Sequence, residues 1–493
     1  GLTEPTTTAP AASGPRRRYR EQVFTLSDAL AYAQRYKRDF QAAKEDLYLS
    51  ALALTLERHL WTPIFAADLR TIYGNFGEIT DFDQAMRFVA DLRMTQRLPY
   101  GGAFTAQMIS TLIRDVKQSI TAEEGSQIAL SLDIPFLRNA GHIAREDLIQ
   151  LERTLTYAVR SFERFRRRQL VDVMSSYFGL LTTKQQVVDL EITYGNFIED
   201  LDRSQARYEA DMDTIIDTGR AELAMLRAKN NLASGRERFR AQTDRFKLLI
   251  GMPVDEPIGL DDLQSISDIE QQVVSGQLPL LQRPEAVENE QLGLVVALQG
   301  RFDLLNRRDQ IDDARRGVAI AKNRLLPDFD LTSSVTFDTD PDHFRLGAFE
   351  TARATWRSEI VFSLPLERTA ERNQYRRSLI DVQQAQRDYE ELRDSIRADV
   401  RSALNEILLA EVTLTIQERS VDVAEQQKEF ADIKYQTGDL TNREKVEAED
   451  DWTQARNQWN AAKTDRWEAI LDFRLATETL LIDENGRQTA PGP

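Results

Sequence analysis

From Leu366 to Ala490 the chain has no proline, and its only glycine between Ala348 and Asn485 is Gly438. A run that long without a breaker reads as helix, and its single glycine marks a sharp turn between two helical arms. The turn lies in KYQTGDLTNREKVE, from Lys434 to Glu447, and it has an echo in RYEADMDTIIDTGR from Arg207. At an offset of 227 the two regions align without a gap from Phe162–Leu248 to Tyr389–Leu475. Identical pairs include Glu163/Glu390, Asp172/Asp399, Ser175/Ser402, Tyr208/Tyr435, Thr214/Thr441, Asn230/Asn457 and Phe246/Phe473. A constant register over so long a span marks an internal duplication.

Each copy carries a sustained heptad seam. The first runs Leu155, Val159, Phe162, Arg166, Gln169, Val173, Ser176, Leu180, Thr183, Val187, Leu190, Tyr194, Phe197, Leu201, Ser204, Tyr208. The second runs Tyr389, Arg393, Ile396, Val400, Ala403, Ile407, Ala410, Leu414, Gln417, Val421, Ala424. Spacing of four and three is that of packed helices, and the small seam residues permit close approach. A helix from Ala144 to Arg207 extends about 95 Å, too long for a compact domain to bury, so it must pair with its returning arm and with neighbouring copies. The returning arms are Thr214–Ile250 and Thr441–Ile482.

Upstream, a first helix starts at Thr25–Asp28 and runs to about Leu60, before Pro63. Its counterpart runs from about Arg301 to Leu326, before Pro327. Period-two alternation follows each proline: Phe65, Ala67, Leu69, Thr71, Tyr73 in one copy and Phe329, Leu331, Ser333, Val335, Phe337 in the other. Return strands alternate at Ile128, Leu130, Leu132, Ile134 and at Ile360, Phe362, Leu364. Strands are therefore expected near 64–73, 126–134, 328–337 and 358–364. One apolar and one polar face suits a strand between lipid and a wet lumen, and equally a half-buried strand of a soluble sheet. The first copy has 37 additional residues, which hold a further hairpin near 88–109 around Leu98–Gly102. It belongs either to a barrel or to an external loop.

The resulting division is a leader (1–23), a first repeat (24–250), an irregular proline-containing segment (251–300), a second repeat (301–483) and a tail (484–493). The net charge of −17 speaks against a nucleic-acid surface. No cysteine is present, so disulfides and thiolate metal sites are excluded. No apolar run is long enough for a transmembrane helix, which says nothing against a transmembrane barrel. The histidines, His59, His142 and His343, have no metal spacing, and no phosphate loop, dinucleotide fingerprint or nucleophile elbow occurs. The acidic cluster Asp338, Asp340, Asp342 lacks the glycine and glutamate of a calcium loop and reads as solvated. The basic run Arg164, Arg166, Arg167, Arg168 reads as helix-surface pairing. No enzyme activity, cofactor or metal is expected.

The order helix, strand, strand, long helix, turn, returning helix, given twice, resembles the TolC-like outer-membrane efflux family. The resembling segments are Arg301–Leu331, a helix ending in Leu-Pro before a strand; ALSLDIPFLRNAG and VFSLPLE, strands ending before a long helix; and the turns RYEADMDTIID and KYQTGDLTNRE. The resemblance covers about residues 24–483. It implies a mainly α chain with membrane β, a homotrimer in which a twelve-stranded β-barrel is continued by a long α-helical barrel. It implies a passive exit duct of the outer membrane with a periplasmic extension, serving efflux or type I secretion. The implied partners are a periplasmic adaptor, docked by the helical tips, and through it an inner-membrane pump or ABC transporter. The alternative reading is a soluble coiled-coil scaffold, its alternating segments forming a small capping sheet.

The resemblance also places site residues. Carboxylates three apart after the second turn, Glu444 and Glu447, would ring the periplasmic entrance, with Asp217 the first-copy partner of Glu444. Three copies around one axis would favour cations there. The adaptor-docking tips would be Tyr208, Asp211 and Met212 in the first turn and Tyr435, Gly438, Asp439 and Leu440 in the second. Asp211 stands where the family has glycine, and aspartate tolerates left-handed geometry better than most residues. Leu440 stands where some relatives carry an arginine for a closing ion pair, which leaves the lock of this entrance unassigned.

Overall fold

The computed structural model describes residues 23–74, 85–115, 121–211, 214–259, 262–339, 349, 354–437 and 439–480. Met212, Gly438, Asp340, Asp342, His343 and most of the leader and tail lie outside the described residues.

The heptad seams form two helical hairpins. Helix α3 (Glu146–Glu209) turns into α4 (Ile215–Ile250), and α8 (Thr369–Thr437) turns into α9 (Asn442–Ala476). Before the first hairpin come α1 (Leu26–Tyr36) and α2 (Arg38–Leu60); between the hairpins come α5 (Ile266–Val274), α6 (Glu290–Gly300) and α7 (Phe302–Asn323). The single helix expected from Thr25 to Leu60 is broken at Lys37, whose extended backbone (ψ 125°) ends α1. The break lies beside Gly251, itself at φ +81°, where a Cβ would come within 2.4 Å of the Tyr36 carbonyl oxygen. A close backbone approach sets the boundary, and no glycine or proline within the helix announces it.

The chain divides into two compact units, each drawing on both repeats. The first comprises residues 1–43, 163–301 and 394–493; the second comprises 44–162 and 302–393. In the first unit the main core gathers Leu170, Val173, Met174, Tyr177, Phe178 and Leu181 of α3, Phe239, Phe246 and Ile250 of α4, and Trp467 and Leu471 of α9. Leu26, Ala29 and Leu30 of α1 join it, as do Leu263, Ile266, Ile269, Leu280 and Leu281 of the inter-repeat segment. The inter-repeat segment thus has a buried anchor. Each such fully buried side chain stabilises the fold by roughly 1.5–3 kcal/mol. Tyr177 donates its hydroxyl to the Phe24 carbonyl at 2.8 Å, which leaves its polar end satisfied inside the core. The basic run at Arg164–Arg168 is engaged in pairing: Arg166 with Glu163 at 3.0 Å and Arg167 with Glu478 at 3.1 Å. Burial, then the neighbouring Arg301, lowers the Arg164 guanidinium to about 10.

The second unit is organised by one antiparallel sheet of six strands in sequence order. They are β1 (Ile64–Gly74), β2 (Ala85–Arg97), β3 (Ala103–Asp115), β4 (Thr121–Pro135), β5 (Asp328–Asp338) and β6 (Thr355–Ser363). The additional hairpin is β2–β3, and it is part of the sheet. It stands between β1 and β4, paired to both. The expected twelve strands rested on four per chain; the described residues form six.

Register places most apolar residues of the six strands on one face, with Ile72, Val89, Ile109, Ile113 and Val361 among the charged residues of the other. Leu92 pairs Ala67 and Met108, Met108 pairs Ile128, Ile128 pairs Phe337, and Val335 pairs Trp356. Phe65, Leu69, Tyr73, Phe88, Phe104, Leu130, Leu132, Phe329, Ile360 and Phe362 share that face by the period of two. It is most open at the edge strands, where Leu69 is 77% exposed, Trp356 70% and Phe362 61%, and half-buried along β3, β4 and β5. The opposite face carries Asp68, Arg70, Arg87, Asp91, Arg93, Asp133, Asp328, Asp330, Arg357 and Glu359. No helix among the described residues is long and apolar enough to cross a membrane.

Candidate functional site

The two helical turns reuse one local device. Thr214 caps α4 and Thr441 caps α9, each with its hydroxyl accepting from the backbone N–H three residues on. Asp217 and Glu444 return the favour: Thr214 donates its hydroxyl to Asp217 Oδ2 at 2.6 Å, and Thr441 donates to Glu444 Oε2 at 2.7 Å. These are capping boxes, which satisfy helix-start N–H groups reciprocally and place a carboxylate at the positive end of the helix dipole. The Thr441 hydroxyl, then its N–H, holds the Glu444 carboxyl below its ordinary range. Asp217 is also 3.6 Å from Arg220. Glu447, one turn further into α9, is exposed.

The turns themselves differ. In the first, Asp211 has φ +59°, so an aspartate occupies the left-handed position that glycine usually takes. In the second, Asp439 closes the end of α8. Its N–H donates to the Lys434 carbonyl at 2.9 Å, and its carboxylate accepts from Lys434 Nζ at 3.2 Å and Thr437 Oγ1 at 3.1 Å. Lys434 first, then Thr437, keeps this carboxyl ionised to lower pH than usual. Leu440 is half-buried.

The duplicated tyrosines have opposite surroundings. Tyr208 is 45% exposed, whereas Tyr435 is 4% exposed. Tyr435 lies between two cations, 5.6 Å from the Arg207 guanidinium and 5.0 Å from Lys445 Nζ, and its carbonyl accepts from Arg207 at 3.3 Å. It ties α3 to α8 and α9. The two turns are neighbours: Asn442, at the start of α9, donates to the Asp217 carbonyl at 3.3 Å.

Behind the turns lies a buried polar ladder that sequence reading missed. Lys445 of α9 pairs with Asp200 of α3 and, at 3.3 Å, with Asp432 of α8. Further along, Glu449 accepts from Asn196 at 2.7 Å and Lys428 at 3.0 Å, and Lys428 sits 3.8 Å above the Trp452 ring. Next, Asp189, fully buried, pairs with Arg456 at 3.1 Å. Burial raises the Asp189 carboxyl and outweighs the pull of Arg456 and Gln185. The signal was present: Asp189, Thr193, Asn196 and Asp200 repeat at heptad spacing beside the apolar seam of α3. At the other end of α9, Asp465, Glu468 and Asp472 line a groove of about 300 Å³ with Glu406 of α8. Burial, then Asp465 and Asp472, pushes Glu468 up to about 7.

The sequence pattern of the family described as outer membrane efflux protein matches residues 294–477. No curated protein matches the chain. Among solved structures, the outer membrane protein VceC from Vibrio cholerae superposes with a TM-score of 0.66 at 13% identity, covering 92% of this chain and 95% of that one. The Campylobacter jejuni CmeC outer membrane channel gives 0.64 at 12% identity, covering 95% and 87%. The open state of the Neisseria gonorrhoeae MtrE outer membrane channel gives 0.64 at 14%, covering 92% and 88%. The chain has the fold of these outer membrane channels, and its residues 294–477 match the outer membrane efflux protein family.

Proposed function

We propose that the protein is a passive exit duct for efflux or type I secretion, crossing the outer membrane through its sheet and the periplasm through its helical hairpins. The observation that carries this reading is the predominantly apolar face that runs in register across all six strands, fully or partly open on each, backed by a face that carries the charges. Such a face is unstable in water and at home in lipid. A soluble scaffold has no use for it. Closing the sheet between copies also removes its two free edges, which an open sheet would leave prone to aggregation.

In this reading the turns between α3 and α4 and between α8 and α9 form the periplasmic tips, and they dock on an adaptor that links the duct to a pump or ABC transporter. Tyr208, Asp211 and Asp439 are the exposed members of that surface, and Met212 and Gly438 complete it in sequence. Tyr435 and Leu440 shape it from beneath. Glu444, Glu447 and Asp217 line the entrance, where their charge selects cations over anions. The capping geometry supports the role, because it holds Glu444 ionised and close to the first turn of α9.

Reconstitution tests the proposal. In liposomes the purified protein is expected to float with the lipid and to release small trapped ions. A protein that stays in water without detergent and leaves vesicles sealed contradicts it.

A further inference from the structure

The sheet has a consequence for the width of the exit, one that rests on the duct reading above. We infer that the β2–β3 hairpin widens the membrane wall, so that three copies of this six-stranded sheet close an eighteen-stranded barrel with Arg87, Asp91, Arg93 and Gln107 lining its lumen.

The ladder leaves no other place for the hairpin. Residues of β2 pair with β1 from Ile64↔Thr95 to Gly74↔Ala85 and with β3 from Ala85↔Asp115 to Arg97↔Ala103. β3 in turn pairs with β4 from Ala103↔Asp133 onward. β1 has no pairing with β4, so removing the hairpin would cut the sheet in two. Both hairpin strands have 13 residues, enough for a tilted membrane strand, which needs about 9–11.

The hairpin also obeys the membrane pattern of its neighbours. Phe88, Leu92 and Met94 of β2 and Phe104, Met108 and Leu112 of β3 fall on the common apolar face. Arg87, Asp91, Arg93 and Gln107 fall on the other, where Gln107 donates to both oxygens of Asp91 at 2.9 Å and Arg93 lies 3.5 Å from it. An external loop has no reason to keep both faces in phase with four other strands.

The connecting turn is fastened at its base. Gly101 and Gly102 have φ of +103° and +84°, and a Cβ on Gly102 would come within 1.9 Å of the Asp133 carbonyl oxygen. Gly141 donates to the Tyr100 carbonyl at 2.8 Å, and Arg97 pairs with Glu57 of α2 at 3.2 Å. This end of the hairpin is joined to α2 and to the link between β4 and α3.

Barrel diameter grows about linearly with strand number. Eighteen strands give a wall about one and a half times as wide as twelve at equal tilt. Polar cargo too bulky for a twelve-stranded exit would pass this one.

The test uses single cysteines in a chain that has none. A fluorophore at position 88 or 92 is expected to lose most of its emission in vesicles of brominated lipid, as a control at position 362 does. Cysteines replacing Arg93 and Gln107 are expected to react with a water-soluble thiol reagent. Chemical cross-linking of the assembled protein should give three copies. Positions 88 and 92 reacting from water, while position 362 remains quenched, would place the hairpin outside the wall and leave the duct intact. Position 362 unquenched would overturn the duct itself. Cross-linking that stops at two copies would mean twelve strands, and would overturn the wider exit.

Discussion

The pairing of Lys445 with Asp200 gives a prediction whose size follows from burial. The side chains of Lys445 and Asp200 are 6% and 7% exposed. Lys445→Met deletes the cation and strands a carboxylate inside the helical body. Breaking a buried pair in this way costs about 3–5 kcal/mol. Arg203, half-exposed and 3.6 Å from Asp200, offsets part of the loss, so the low end, about 3 kcal/mol, applies. Asp432 is 36% exposed and loses little. At 1.4 kcal/mol per factor of ten, local opening around Tyr435–Glu449 should rise about 100-fold. Native-state hydrogen exchange on the detergent-solubilised protein reads that opening directly. Asp200→Leu added to Lys445→Met removes the orphaned charge and should return exchange to within about tenfold of the parent. Unchanged exchange in the single variant, or equal exchange in single and double variants, would refute the reasoning.

Other perturbations follow from the same geometry. Glu444→Ala combined with Glu447→Ala should weaken cation selectivity in single-channel recordings; unchanged reversal potentials would remove these residues from the entrance. Thr441→Ala and Thr214→Ala each delete a capping box and should destabilise their helix start by about 1 kcal/mol, read by proteolysis at the turns. Glu468 holds its proton up to about 7 in the folded chain, against an ordinary 4.5. The unfolded chain releases that proton first, so stability declines as pH rises from 4.5 to about 7 and is constant above. Glu468→Gln should flatten this part of the thermal-unfolding profile, and a profile as steep as the parent's would contradict the assignment. Gly102→Ala drives a methyl group into the β4 backbone and should abolish assembled protein in membranes; normal assembly would contradict the close approach of Gly102 to Asp133.

Much of this fold is legible in the sequence, and the physical reasons are specific. The heptad seams fixed the two hairpins because a period sustained over tens of residues has one helical solution. The two turns were visible as a duplicated Tyr-to-Thr segment, and the left-handed Asp211 as an aspartate in a glycine's place. Four strands showed as period-two alternation beside prolines. What local pattern does not contain is partnership. Alternation at Phe88–Met94 gives a strand but not its neighbours, so the place of β2–β3 inside the sheet waited for the register. Tyr208 and Tyr435 occupy the same place in the two repeats, yet one is exposed and the other is held between Arg207 and Lys445. The buried Asp189, Asp200 and Glu449 look like ordinary solvated carboxylates until their cations on other helices are placed. The interruption at Lys37 is set by contact with Gly251, more than two hundred residues away.

The central claim is that the chain builds a membrane duct from several copies, and direct imaging of the detergent-extracted assembly tests it. Three-fold averages are predicted to show an open ring whose membrane wall has eighteen strands, six from each chain. A protein that leaves the membrane without detergent, as a monomer or a dimer with no ring, would contradict the account.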